Sequence, residues 1–308
     1  MNSVPDRFLK TSSPLVVALN PSIDAEWRVA DVLWEEKNNV QSERRWAGGK
    51  GINVARWLKF LRMQPRLLLP LGGVSGEELA GYLRRERITS RILKIRGATR
   101  VNVIVSTSVG RQMRFNPLGP EISGSEVRAF HRVFEQEVQR AGLLILSGSL
   151  PRGLPNGFYA ELLQVAHQAR VKTVLDCDGA PFKAAVRARP FLVKPNEHEL
   201  ALWWGKELRT EAAIQKAARA LSEETRGWVF VSRGGQRGLL LNVAENFQLF
   251  AAPPKAKPRN TVGAGDALVA AVAQQILLGR SPVEWLRRGL MVGTKATQLE
   301  AGTLPKRL

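Results

Sequence analysis

Short, unbroken apolar runs rich in Val, Ile and Leu recur along this chain with helical patterns between them, and that alternation restricts the fold more than any other feature. The runs are Leu15–Leu19, Leu67–Leu71, Leu143–Leu146, Thr173–Leu175, Phe191–Val193 and Val229–Val231. They are continuous, so each predicts a strand buried on both faces. Helical patterns fall at Ile52–Met63, Glu77–Arg87, Ser125–Arg140, Gly157–Arg170 and Glu211–Glu224. Strand and helix in turn imply an α/β fold: a mostly parallel sheet with helices on both faces. Two regions, Ala25–Trp46 and Thr99–Phe115, instead contain polar–apolar alternation, as in Arg100-Val101-Asn102-Val103. That pattern suits strands with one wet face and predicts a small sheet projecting from the main body. At 308 residues the chain fits one large α/β domain. The stiff Pro253-Pro254 segment is a connection and not a boundary.

Several function classes find no support. The histidines His131, His167 and His198 have no metal-ligand spacing. There is no G-x-S-x-G elbow for serine hydrolysis, and no G-x-G-x-x-G follows the first strand as a dinucleotide site would require. The net charge of +19 is spread along the chain, without zinc-finger spacing or an aromatic–basic RNA-binding pattern. It therefore predicts attraction for anionic metabolites and no nucleic-acid partner. The longest apolar stretch, Ala267–Leu278, is too short to span a bilayer, so no membrane role is expected. The stretch Met1–Pro14 is polar and lacks a signal-peptide core. With one cysteine, Cys177, the chain is expected in a reducing, cytoplasmic compartment.

The segment that carries most chemistry is Asn260-Thr261-Val262-Gly263-Ala264-Gly265-Asp266, which opens the apolar helix ending at Gly279. Small residues at a helix start let an anion reach backbone N–H groups that have no helical partner, and the helix dipole favours it there. A carboxylate in that turn can take a proton from a hydroxyl held beside the anion. An anion cradle with a base is what phosphoryl transfer to an alcohol needs. On spacing alone, an ordinary capped helix with Asp266 as a dipole partner fits as well.

Three further segments are weaker. Ala47-Gly48-Gly49-Lys50-Gly51-Ile52-Asn53 is not a P-loop, yet it places glycines, a cation and an amide at a helix start. Lys194-Pro195-Asn196-Glu197-His198-Glu199 follows a strand end, where open α/β sheets bind ligands. Asn196 with Glu199 also forms a capping-box pattern. Ser147-Gly148-Ser149-Leu150-Pro151 and Asn20-Pro21-Ser22-Ile23-Asp24 read singly as turns.

Taken in order, the motifs LNPSID, GGKGIN, TRVN, SGSLP, LVKPNEHEL, VSRGG and TVGAGD resemble those of the ribokinase-like, or PfkB, family of carbohydrate kinases. The likeness runs from about Leu15 to Pro305 and is strongest to the phosphosugar branch: 1-phosphofructokinases, tagatose-6-phosphate kinases and minor 6-phosphofructokinases. It implies a three-layer kinase domain over residues 1–308, with a β lid from about 25–46 and 99–116 that pairs to make a homodimer. It implies ATP and Mg²⁺ as reaction partners and a ketohexose phosphate as acceptor. Carried over by motif, Asp266 is the base, and Gly263, Ala264 and Gly265 are the anion hole. Asp24, Gly49, Asn53, Asn102 and Ser149 hold the sugar, and Lys50, Arg100 and Arg114 its phosphate. Lys194, Asn196, Ser232 and Gly234 serve ATP, and Glu199 serves Mg²⁺. A kinase of an unphosphorylated sugar or nucleoside, or a non-catalytic sugar-phosphate sensor, stays open on the same scaffold. Ala267 stands where the family commonly has serine, Arg233 where it has leucine, and the loop ending at Gly238 is one residue longer.

Overall fold

In the computed structural model, residues 13–307 are described; the polar stretch up to residue 12 lies outside them. Among the described residues, thirteen strands form two sheets. The strands are β1 (Pro14–Val17), β2 (Ser22–Val29), β3 (Ser42–Gly48), β4 (Arg66–Leu71), β5 (Thr89–Lys94), β6 (Arg100–Thr107) and β7 (Gln112–Phe115). They continue with β8 (Leu143–Ser147), β9 (Thr173–Asp176), β10 (Leu192–Val193), β11 (Trp228–Val231), β12 (Gly238–Asn242) and β13 (Phe247–Ala251). The large sheet has the order β13-β12-β11-β10-β9-β8-β1-β4-β5 and is parallel from β5 to β11, with an antiparallel pair at the β13 edge.

All six apolar runs form strands of this sheet, and their residues divide alternately between two cores. Val16, Leu67, Leu69, Leu143 and Ile145 pack toward the helices Lys50–Phe60, Gly73–Arg85, Ala264–Leu277 and Pro282–Thr297. Leu15, Val17, Leu68, Leu144 and Leu146 face Gly124–Val138, Phe158–Gln168 and Glu211–Thr225. Burial on both faces explains why these strands read as unbroken apolar runs.

The two irregular regions meet in the second sheet, ordered β3-β2-β6-β7. Two antiparallel pairs, β2–β3 and β6–β7, are joined by a parallel β2–β6 pair. Register sets its faces. Asp24 lies opposite Trp46 and Asn102, while Glu26 lies opposite Arg44 and Ile104. The strands occupy less of the first region than the alternation suggested, because residues 30–41 connect β2 to β3 as a largely exposed loop.

β1 sits between β8 and β4, so the chain leaves it in opposite directions along the sheet. That reversal opens a crevice at the carboxyl ends of the strands, the usual ligand position in an open parallel sheet.

Candidate active site

A cavity of about 510 Å³ occupies that crevice and runs beneath the inner face of the small sheet. Its floor comes from strand ends: Asn20 after β1, Ser147 and Ser149 at and after β8, Asp176 and Asp178 at and after β9, Lys194 and Asn196 after β10, and Ser232 after β11. The small sheet adds Asp24, Arg100, Asn102 and Arg114. Of the residues singled out from the sequence, only Ala264 and Gly234 lie elsewhere, and they line an adjoining cavity of about 410 Å³. Ser232 and Gly265 border both cavities.

The helix Ala264–Leu277 points its N-terminus at the junction. Gly263 caps it at φ 80°, a left-handed value that disfavours side chains, and no side chain caps the first N–H groups. The Ala264 N–H donates to the Thr261 carbonyl at 3.4 Å, while those of Gly263 and Gly265 have no partner among the described residues and are free to meet an anion. Asp266 stands in this first turn, 5% exposed, and its Oδ2 accepts a 2.8 Å hydrogen bond from Asn53 Nδ2. Burial and the nearby Asp176 charge push its pKa up to about 7, against the opposing pull of the Asn53 bond, Lys50 and Lys194.

Asp176 is the residue that motif reasoning missed. It ends β9, is 1% exposed, and lies 3.2 Å from Lys194 Nζ and 3.9 Å from Lys50 Nζ. Ser147 Oγ donates to it at 3.1 Å. Burial alone would raise its pKa, but the two lysines and the Ser147 bond hold it below the usual carboxylate range. Lys50 in turn is held charged, above its ordinary value, by Asp176 and then by Glu199, whose Oε1 is 3.6 Å away. The available signal was positional: a carboxylate directly after an apolar run that ends at the binding edge of a parallel sheet.

Asn196 and Glu199 do cap the helix Glu197–Trp204. Asn196 Oδ1 accepts from the Glu199 N–H, and the Asn196 N–H donates to Glu199 Oε2, both at 2.8 Å. The cap leaves Glu199 Oε1 toward Lys50 and the cavity. Among the described residues no group of three or more His, Cys, Asp or Glu is arranged to hold a metal. One carboxylate beside a phosphate pocket fits Mg²⁺, which keeps most of its waters and binds chiefly through substrate phosphates.

Beneath the small sheet, Asp24 Oδ1 accepts from Ser22 Oγ at 2.8 Å and Asn102 Nδ2 at 2.9 Å. Its pKa is raised by burial, with those bonds and Arg100 opposing. Gly48 makes room for it, since a Cβ there would fall 2.2 Å from Asp24 Cγ. The three predicted phosphate ligands share the cavity but sit apart in role. Lys50 is committed to Asp176 and Glu199. Arg100 donates to the Pro117 and Asn20 carbonyls, both at 2.9 Å, and so clamps the 117–120 loop. Arg114 is exposed and donates only to Gln112 Oε1, at 3.0 Å.

The adjoining cavity is walled by Pro253, Pro254, Ala256, Leu268, Leu290 and Gly293. Arg233, the departure noted in the sequence, also borders this cavity. Its Nε reaches Glu197 Oε2 at 3.0 Å and its Nη2 reaches Gln236 Oε1 at 2.6 Å. These bonds fasten the loop at the edge of the cavity.

Comparison with known proteins agrees with this geometry. Residues 18–307 match the pfkB family carbohydrate kinase profile. The chain is 34% identical over 288 residues to a 1-phosphofructokinase of Bacillus subtilis, covering 93% of each, and 35% identical over 296 residues to one of Xanthomonas campestris, covering 94% of this chain and 91% of the other. The crystal structure of phosphofructokinase-2 from Escherichia coli in complex with potassium superposes with a TM-score of 0.86 at 29% identity, over 94% of this chain and 93% of that one. An anion-binding helix start with a buried carboxylate, a sugar-sized polar crevice beneath a small sheet and these likenesses together place the chain in the PfkB family of carbohydrate kinases.

Proposed function

We propose that this kinase transfers the γ-phosphoryl group of ATP to a hydroxyl of a ketohexose phosphate: fructose 1-phosphate, fructose 6-phosphate or tagatose 6-phosphate. The observation that carries the reading is Asp266, buried and raised to about 7, in the same turn as uncapped N–H groups and at the junction of a polar and an apolar cavity. Asp24, Asn102, Asn53 and Ser149 hold the sugar in the polar cavity. The base and ribose of ATP lie in the adjoining one, past Ser232 and Gly234. Asp266 takes the proton of the acceptor hydroxyl as that oxygen attacks. The N–H groups of Gly263, Ala264 and Gly265 receive the charge of the transferring phosphoryl group. Lys194 and Lys50, anchored on Asp176, present fixed positive charge to the phosphates. Asn196 lies beside the phosphates and Glu199 would hold Mg²⁺ through water, where the bound ion would neutralise phosphate charge.

The small sheet acts as a lid within a single kinase domain. Its outer face supports a homodimer, because Trp27, Val103, Val105, Met113 and Phe115 form an apolar patch there that the chain leaves at least partly exposed. Its inner face brings Arg100 and Arg114 over the acceptor, which favours a phosphorylated sugar. The test is ATP consumption across the three sugar phosphates, fructose and a nucleoside. Turnover with a sugar phosphate supports the reading; turnover only with fructose or the nucleoside, or with nothing, refutes it.

A further inference from the structure

Away from the reacting groups, three arginines from three segments converge on one carboxylate, Glu300. Arg259 Nη2 is 2.6 Å from Oε1 and Arg28 Nη2 is 3.9 Å from the same oxygen, while Arg44 Nη1 is 3.5 Å from Oε2. Arg28 and Arg44 belong to β2 and β3 of the small sheet. Arg259 belongs to the segment that runs into the anion-binding turn.

Each side is built in further. Arg44 Nη2 also reaches Glu26 Oε2 at 3.1 Å and the Ala301 carbonyl at 2.7 Å, and its guanidinium lies 4.7 Å from the Trp46 ring centre. Glu26 is buried and accepts from Ser106 Oγ of β6 at 2.9 Å, so three strands of the small sheet answer to this cluster. Opposite, the N–H groups of Arg259 and Asn260 both donate to the Thr297 carbonyl, at 2.7 and 3.0 Å. Asn260 Oδ1 then accepts from the Val262 N–H at 3.1 Å, one residue before Gly263. Glu26 and Arg28 alternate along β2 with Asp24, so a tilt of this sheet that moves Asp24 over the sugar moves the arginines as well.

We propose that Glu300 is a positioning residue that couples the small sheet to the anion-binding turn, so that the sheet's placement over the acceptor and the alignment of Gly263–Gly265 are set together. This rests on reading the cavity as a sugar-phosphate kinase site. The charge balance gives the direction. Without the carboxylate, Arg28 and Arg259 line a solvent-open groove of about 520 Å³ with no anion between them, Arg44 keeps only the Glu26 carboxylate, and the excess positive charge pushes the sheet away from the turn.

The experiment is a cycle of variants. Glu300→Gln keeps the shape and removes the charge, and should lower kcat about tenfold while changing the ATP KM little. Arg44→Gln and Arg259→Gln do not share a contact except through Glu300. Their effects on kcat should be non-additive in the native background and become additive once Glu300 is Gln. Equal effects of each arginine with or without Glu300, or a Glu300→Gln protein with lowered Tm and unchanged kcat, would overturn the coupling. Hydrogen exchange separates this from failure of the functional reading, since it needs no turnover. Exchange in 22–28 and 261–265 should quicken together in Glu300→Gln, and an unchanged rate in either segment refutes the proposal whatever the substrate proves to be.

Discussion

Asp266 and Asp176 share one buried pocket, yet their surroundings drive them apart. Burial and the charge of Asp176 raise Asp266 to about 7, while Lys194 and Lys50 outweigh burial and keep Asp176 ionised. Such a split suits Asp266 to the proposed role of base and Asp176 to holding two cations in place. The linkage has a definite sign. The folded pKa of Asp266 lies above its unfolded value, so the folded state binds more protons between about pH 4 and 7. Its contribution to stability is full below that range and is lost as pH rises through 7. Thermal melts of wild type and Asp266→Asn from pH 4 to 8 should diverge, the variant losing less Tm with rising pH; parallel curves would contradict the assignment. Arg114, proposed for the acceptor phosphate, has most of its donors unspent among the described residues. Arg114→Ala should raise the sugar-phosphate KM roughly tenfold and leave the ATP KM nearly unchanged, the loss of one charge-assisted contact. An unaltered KM for every active acceptor would make Arg114 mere surface charge. The motifs led to Asp266, Asn53, Lys194 and Asn196 because each lies in a run of unusual small and polar residues. Asp176 lies in an ordinary strand end, and only the packing of two lysines around it reveals its place.

At the scale of elements, five helix ends close with an arginine in the left-handed region: Arg62, Arg87, Arg170, Arg189 and Arg226, with φ between 50° and 66°. Glycine is the usual occupant, since a Cβ there costs about 1–2 kcal/mol. The positive charge at a helix C-terminus returns about 0.3–1 kcal/mol. The balance predicts that Arg170→Gly, at an exposed site after Phe158–Gln168, raises stability by roughly 0.5 kcal/mol in denaturant melts; a clear loss would show that the arginine makes contacts the balance omits. Element legibility followed burial. The continuous runs gave the central strands, whereas β5 escaped notice because it is an edge strand with Arg91 and Lys94 outward, the charge pattern that guards a sheet edge. The helix Pro282–Thr297 was also missed, although Ser281 and Glu284 form a capping box with proline at the first position, a signal the sequence did carry. The hairpin β12–β13 broke the strand–helix rhythm and so fell outside the pattern.

For the whole molecule, the small sheet presents two contrasting faces. Its inner face lines the polar cavity, and its outer face leaves Phe115 53% exposed beside Trp27, Val103, Val105 and Met113. Phe115→Glu places a charge in that patch and should convert a dimer to a monomer by light scattering; an unchanged mass would place any dimer contact elsewhere. The central claim is that Asp266 is the base of a sugar-phosphate kinase, and phosphoryl transfer by wild type and Asp266→Asn, followed side by side by ³¹P NMR, tests it most directly. Wild type should form a sugar bisphosphate and ADP. Asp266→Asn should still bind ATP but turn over roughly 10²–10⁴-fold more slowly. A variant as active as wild type would contradict the account.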